Sequence, residues 1–431
     1  MKHTFLTAVL ATVICTSAAY AVPYCDDLMD VDTLPKKYQK KGPFYSDANQ
    51  GWIVAGDQLI TDYTFGKEAH FLMTKIAEGF EARGIKLVLT VPPPRPLFMS
   101  AVIEGYDRNK ATDSFLAYLK GISDTGVVVP DLLTSMQVSL GQEAYFQRDT
   151  HWTPKGAAYS ALTLAHQIGK TDEFQQIFSA LNFTEAYSEK GSLTTVVDKT
   201  CKTSLMPEEV MASSFSERGV ASDLLSDAPT EGQKIALAGT SFSNRYNRDA
   251  YRFSGALSFA LDAPVDNYSV SGGGIISALE TLILSDEFQE GTYQTVIWEV
   301  PYTQSMSDIH SLRQILGALM ALEYGELNEI FKGTVGSDWR SIPLSLKTTG
   351  NFALQVIVDS SELNQVEIEL YNQTNEKTRL KLRKSSRVPT QLQSDKWTVS
   401  LEGLDVSEIK KMKVRLKSAK ADQNLSVSII Y

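Results

Sequence analysis

The chain has 431 residues, 43% of them hydrophobic and 21% charged, and a formal net charge of −10. That length exceeds one ordinary core and predicts two or three domains, while the composition excludes a disordered chain. Charge is unevenly held: residues 345–431 carry 14 Lys and Arg against 10 Asp and Glu, about +4, which leaves about −14 on the rest. A basic C-terminal module on an acidic body reads either as a solvated charged face or as a surface for an acidic partner.

At the N-terminus, Lys2 and His3 precede the apolar run from Phe5 to Ile14, and Ala19-Tyr20-Ala21 offers a small-x-small cleavage site. This pattern predicts a secretory signal over residues 1–21 and an exported protein. Cys15 would leave with the signal. Cys25 and Cys201 then remain, and in an oxidising compartment they either pair or stay as free thiols. Neither belongs to a CxxC motif, so redox chemistry is not expected.

Residues 22–50 form a lead-in, and Gly51-Trp52-Ile53-Val54 starts regular structure. Apolar spacing predicts a helix from Phe65 to Arg83, ended by Gly84. Ile85 to Val91 reads as a buried strand stopped by Pro92-Pro93-Pro94-Arg95-Pro96. A helix at Thr112–Leu119 and a short second strand at Val127–Val129 follow. Thr153 as N-cap and Pro154 at the first helical position open another helix, which runs to about Gly169. Further strands are expected at Ile235–Ala238, Val265–Val270 and Thr295–Val300, with helices at Ile275–Leu284 and from Asp308 to Phe331. Helices alternating with apolar strands predict a parallel sheet covered by helices. Beyond Trp339, short period-2 segments separated by polar turns predict an all-β sandwich. The expected division is therefore 1–21 signal, 22–340 α/β domain and 341–431 β-sandwich.

Chemistry concentrates in two stretches. Asp149-Thr-His151-Trp152 lies on the approach to the Thr153 helix and offers an orienting carboxylate and an imidazole base. Gly239-Thr240-Ser241-Phe242-Ser243 follows an apolar strand and offers a hydroxyl nucleophile on a small-residue turn. Serine attack on an acyl carbon needs a base and oxyanion donors. The Ser241 amide is one expected donor, and a glycine of the Gly272–Gly274 turn, with Gly273 at its centre, is the second. Arg245, Tyr246 and Trp152 are candidate contacts for substrate, each set against an ordinary surface or core role. In the β module, the basic run Lys377 to Arg387 reads either as a charged strand surface or as a surface for acidic groups. The histidines lack ligand-like neighbours, so no metal is expected. No phosphate loop, dinucleotide turn or nucleic-acid module is present, so neither a cofactor nor a nucleic-acid partner is expected.

Together, Asp149-Thr-His-Trp-Thr-Pro-Lys-Gly156 and Gly-Thr-Ser241-Phe-Ser resemble the SGNH-hydrolase-like alginate O-acetyltransferases of the AlgX/AlgJ family. Gly51-Trp52, Val91-Pro-Pro-Pro-Arg95, Tyr145-Phe146 and Ile297-Trp-Glu-Val-Pro301 extend the likeness over about residues 45–305. The C-terminal sandwich is AlgX-like, where it serves as a carbohydrate-binding module, which makes Arg379, Lys381, Arg383 and Trp397 candidate glycan contacts, and the two mature cysteines sit where that family has a disulfide. The resemblance implies a fold of SGNH-hydrolase-like parallel sheet with flanking helices plus an all-β sandwich. It implies Ser241 as the acetyl-accepting nucleophile, His151 as base and Asp149 as its partner. It further implies transfer in the periplasm to a polysaccharide acceptor, an acetyl donor delivered by a membrane acyltransferase, and other exopolysaccharide secretion proteins as partners. A carbohydrate acetylesterase of the same fold and a non-catalytic glycan-binding scaffold are the rival expectations. The β module here lacks the cysteines that the family's module carries.

Overall fold

A computed structural model describes residues 21–169, 177–179, 181–213, 215, 234–245, 251–289, 291–323, 327–347, 352–359, 363–404 and 408–431. The expected signal thus lies almost wholly outside the described residues. Regular structure begins with a hairpin of β1 (Phe44–Asp47) and β2 (Trp52–Ala55). Helix Lys67–Glu81 leads into β3 (Lys86–Thr90), whose residues after Lys86 are all buried. A second hairpin, β4 (Glu185–Glu189) with β5 (Glu208–Ala212), encloses helix Thr194–Thr200. Then come β6 (Lys234–Ala238), β7 (Val265–Asn267) and β8 (Tyr293–Glu299).

The order β3-β8-β6-β7 makes one parallel sheet. The near-continuous apolar runs of β3, β6 and β8 suit a layer buried on both faces, while the edge strand β7, Val-Asp-Asn, is half-exposed. All four strands run the same way, so the exits of β3, β6, β7 and β8 share one rim. Loops at the C-terminal rim of such a sheet are where α/β proteins place their sites.

Three expectations change in detail. Val127–Val129 supplies only an isolated bridge, Val88 to Val128. Pro130 cannot extend the ladder, and Asp131 at once caps helix Leu132–Ser139 by accepting the Thr134 amide at 3.0 Å. The helix expected over Asp308–Phe331 is Ile309–Glu323, and the rest of that stretch belongs to β9 (Leu327–Val335). Ile330 and Phe331 pack on the sandwich core, so the chain leaves helical geometry there. The sandwich therefore begins ahead of residue 341. Its other strands are β10 (Arg340–Lys347), β11 (Ala353–Val358), β12 (Gln365–Asn372), β13 (Lys377–Arg383), β14 (Lys396–Ser400), β15 (Glu408–Leu416) and β16 (Gln423–Ile430). They form two antiparallel sheets, β10-β15-β12-β13 and β14-β11-β16-β9.

Helix Ile309–Glu323 joins the two units. Arg313 donates to Ser400 O at 3.3 Å and Glu402 O at 2.7 Å, while its other amino group meets Glu68 at 2.8 Å. The Gln314 amide brackets Arg383, donating to its carbonyl at 2.7 Å and accepting its N–H at 2.8 Å. Gly317 permits this approach, because a Cβ there would lie 2.5 Å from Val399 N and 2.7 Å from Val399 Cα.

Gly317→Ala tests that contact. Alanine gains about 1 kcal/mol of helix propensity over glycine, yet the added methyl meets backbone that cannot rotate away. The net expectation is destabilisation by about 1–3 kcal/mol. It is read by urea unfolding of the variant against the parent, and equal midpoints would refute the tight seam.

Candidate active site

Two loops build the site, one before helix Pro154–Gln167 and one after β6. The first is closed by the Tyr145–Trp152 bridge, with Phe146 N–H donating to His151 O at 3.2 Å and Thr153 N–H to Ala144 O at 3.0 Å. Thr153 caps the helix as expected, its hydroxyl accepting the Gly156 amide at 3.0 Å. Arg95, fully buried at the exit of β3, donates to Ile53 O at 2.7 Å and Phe146 O at 2.9 Å and also reaches Gln147 O. Its guanidinium lies over Trp52, 4.6 Å from the ring centre. One cation thus ties the β1–β2 hairpin and the first loop to the rim.

Asp149 turns back on its own chain. Its Oδ1 accepts the His151 backbone N–H at 3.0 Å and pairs with His151 Nδ1. Such an Asx turn fixes carboxylate and ring together. Placing the imidazole proton on Nδ1 leaves the Nε2 lone pair to face Ser241 Oγ, 2.8 Å away. The spacing Asp-x-His and the distant serine therefore meet as one relay, Ser241–His151–Asp149. The His151 ring stacks on Tyr251 at 5.2 Å and leans on Phe242 at 4.8 Å.

The second carboxylate oxygen of Asp149 accepts the Ser192 amide at 2.5 Å and Arg245 Nη1 at 3.2 Å. Burial pushes the Asp149 carboxyl up, but His151, Arg245 and the Ser192 amide outweigh it and hold the group well below the usual carboxylate range. Arg245 also pairs with Glu189 at 2.9 Å and donates to the Tyr251 hydroxyl at 3.3 Å. Ser192 and Glu189 come from the β4–β5 segment. From the same segment, Glu208 accepts the Gln147 and Arg148 amides at 2.9 and 3.1 Å. Cys25 and Cys201 form a disulfide, which fastens this segment to the lead-in chain, and Leu28, Leu34, Val196 and Val197 share a small core there.

Several expected contacts lie elsewhere. Trp152 is completely buried and donates to Phe242 O at 2.9 Å, so it locks the two loops together and lines no groove. Arg245 is committed to carboxylates and reaches Asp149 in place of a substrate. The Gly273 amide donates to Val270 O at 2.9 Å, which removes it as an oxyanion donor. The Ser241 amide has no acceptor among the described residues. Tyr246 lies outside the described residues. Trp397 is 1% exposed on the inner side of the sandwich, so its face is closed to a sugar. Arg379 and Lys381 lie on the outer sheet face, Arg379 paired with Glu367 at 2.7 Å. Arg383 pairs with Asp308 at 3.4 Å and lines a cleft shared with Gly272–Gly274 and Gln304.

Glu299 carried no expected role. At the end of β8 it is fully buried and accepts the Thr240 amide at 2.6 Å and the Thr240 and Ser243 hydroxyls, each at 3.0 Å. Gly239 leaves room for this, since a Cβ would stand 2.7 Å from Glu299 Oε2. A carboxylate at the end of an apolar strand was the available signal in the sequence.

A family model described as the SGNH hydrolase-like domain of acetyltransferase AlgX matches residues 48–302. The alginate biosynthesis protein AlgX of Pseudomonas putida is 28% identical over 320 residues, 70% of this chain and 65% of that protein. The probable alginate O-acetylase AlgJ of Pseudomonas syringae pv. tomato is 29% identical over 277 residues, 60% of this chain and 70% of that protein. Against the AlgX of Pseudomonas fluorescens the chain spans 63% of the relative's length, so it matches somewhat under two thirds of these AlgX proteins. The solved structure of Pseudomonas aeruginosa AlgX covers 94% of this chain and is itself covered over 98%, at a TM-score of 0.72 and 20% identity, and so shares its fold.

If the relay activates the serine, Asp149→Asn should slow labelling of Ser241 by a fluorophosphonate probe by roughly 10³–10⁴-fold, as loss of the orienting carboxylate does in serine triads. Time-resolved mass spectrometry of the labelled peptide reads the rate, and an unchanged rate removes Asp149 from the relay.

Proposed function

The chain belongs to the AlgX family of SGNH hydrolase-like proteins, and from that membership we propose that it is an exported polysaccharide O-acetyltransferase. Its acceptor is alginate or an alginate-like uronate polymer. The observation that carries the reading is Ser241 Oγ standing 2.8 Å from a His151 ring whose other nitrogen is held by a buried, ionised Asp149. In the first half-reaction Ser241 Oγ attacks the acetyl carbonyl carbon while His151 Nε2 takes its proton. The oxyanion forms against the Ser241 amide. The donor's leaving group departs with the proton from His151, giving acetyl-Ser241. A sugar hydroxyl then attacks that ester, passes its proton to His151, and Ser241 leaves as the alcohol.

Residues 1–21 direct export, and the acetyl donor comes from a membrane acyltransferase partner. The sandwich holds the acceptor chain. Its net positive charge beside an acidic body suits a polyuronate, and Arg379, Lys381 and Arg383 are its contacts. Holding the polymer raises the concentration of sugar hydroxyls at the acetyl-serine, favouring transfer over hydrolysis. The names of the AlgX and AlgJ relatives, alginate biosynthesis protein and alginate O-acetylase, support both the acceptor and the reaction.

The test is to expose the protein to p-nitrophenyl acetate, locate the acetyl group by mass spectrometry, and chase with an oligouronate. Acetylated oligouronate is the expected product. Ser241→Ala should abolish it while leaving oligouronate affinity unchanged, and transfer retained in that variant defeats the assignment. Free acetate as the sole product identifies an esterase, and absence of any acetyl-Ser241 identifies a scaffold.

A further inference from the structure

Glu299 takes no part in the proton relay, yet the turn that carries Ser241 is wrapped around it. It follows Trp298, which stands beside Ala238 at the end of β6, and it faces Thr90 of β3 across the ladder. Its bonded partners, Thr240 and Ser243, sit on either side of the nucleophile. Among the described residues no Lys or Arg forms an ion pair with it. A buried carboxylate without a cation is costly, and an apolar side chain of similar size would pack there without that cost.

We infer that Glu299 is a positioning residue that holds Ser241 and its amide in attack geometry in its ionised form. The inference rests on the acetyl-serine reading. An ionised carboxylate offers only acceptors, and every group of Thr240 and Ser243 that reaches this one is a donor, amide or hydroxyl. Protonation places an O–H among those donors. The Thr240 amide cannot reverse, so a hydroxyl must turn round and the turn loosens. The amide of Ser241, which faces the oxyanion, moves with it.

The surroundings set where that change falls. Burial pushes the Glu299 carboxyl up to about 7 against the bonds from Thr240 and Ser243. From β3 it is faced by the neutral Thr90. From the segment before the Asp149 loop it is faced by the Tyr145 phenol, which burial holds well above its usual range and which donates to Pro93 O at 2.6 Å. Neither supplies positive charge. The proton on Glu299 is therefore exchanged near neutrality.

The experiment measures pre-steady-state acylation by p-nitrophenyl acetate from pH 5 to 9 in the full chain. In the parent, two protons must leave before attack, so the acid limb should approach a slope of two. Glu299→Gln should lower the neutral-pH rate by roughly 10–100-fold, the scale of a small misplacement of a reacting group, leave KM for the ester unchanged and reduce the limb to a slope of one. Ser243→Ala keeps the carboxylate but removes a donor to its ionised form, so the limb should move to higher pH. This variant carries the test alone if Glu299→Gln fails to fold. A parent-like rate and profile in Glu299→Gln, or a uniform loss with an unmoved profile in either variant, overturns the inference. Acylation surviving in Ser241→Ala instead defeats the nucleophile assignment and leaves Glu299 aside.

Discussion

A carboxylate removed from water must be satisfied by protein, and Asp149 gathers its donors from three separate stretches of chain. His151 comes from its own loop, Ser192 from the β4–β5 segment and Arg245 from just beyond the Ser241 turn. Satisfying one negative charge therefore brings together the parts of the site. Lose any donor, and what remains is a buried charge short of a partner, a costly state in a low-dielectric interior. The orientation of His151 follows from this constraint, and so does the line from its Nε2 to Ser241.

Around that pair lies a shell with no chemistry of its own. Trp152 bonds one loop to the other, Arg95 ties the rim to the N-terminal hairpin, and the disulfide-fastened segment presses Glu189, Ser192 and Glu208 onto the Asp149–His151 loop. Preorganisation of this kind places groups before substrate arrives, so less reorganisation accompanies reaction. Glu299 does on the serine side what Ser192 and Arg245 do on the histidine side.

Local sequence made some of this legible and hid the rest for identifiable reasons. Thr153 followed by Pro154 marked a helix start, and the short spacing from Asp149 to His151 let a carboxylate and a ring share one turn. The apolar runs of β3, β6 and β8 announced a buried sheet. Tryptophan was misleading, because indole suits a sugar face and a core equally well: Trp152 and Trp397 are both interior, and only their surroundings decide. Gly273 looked free to donate until its amide was seen closing a turn on Val270. The helix expected through Phe331 ended early because Ile330 and Phe331 face a second core, which no local period reveals. Arg245 and Glu299 depend on partners 96 and 59 residues away, distances over which pattern reading has no reach.

The seam at helix Ile309–Glu323 has a geometric corollary. A sandwich bonded through Arg313, Gln314 and the Gly317–Val399 contact is not a flail on a linker; it is part of the same solid. A ligand bound on the sandwich would then stand at a fixed distance from Ser241, and loosening the seam would let that distance vary without touching the residues around His151.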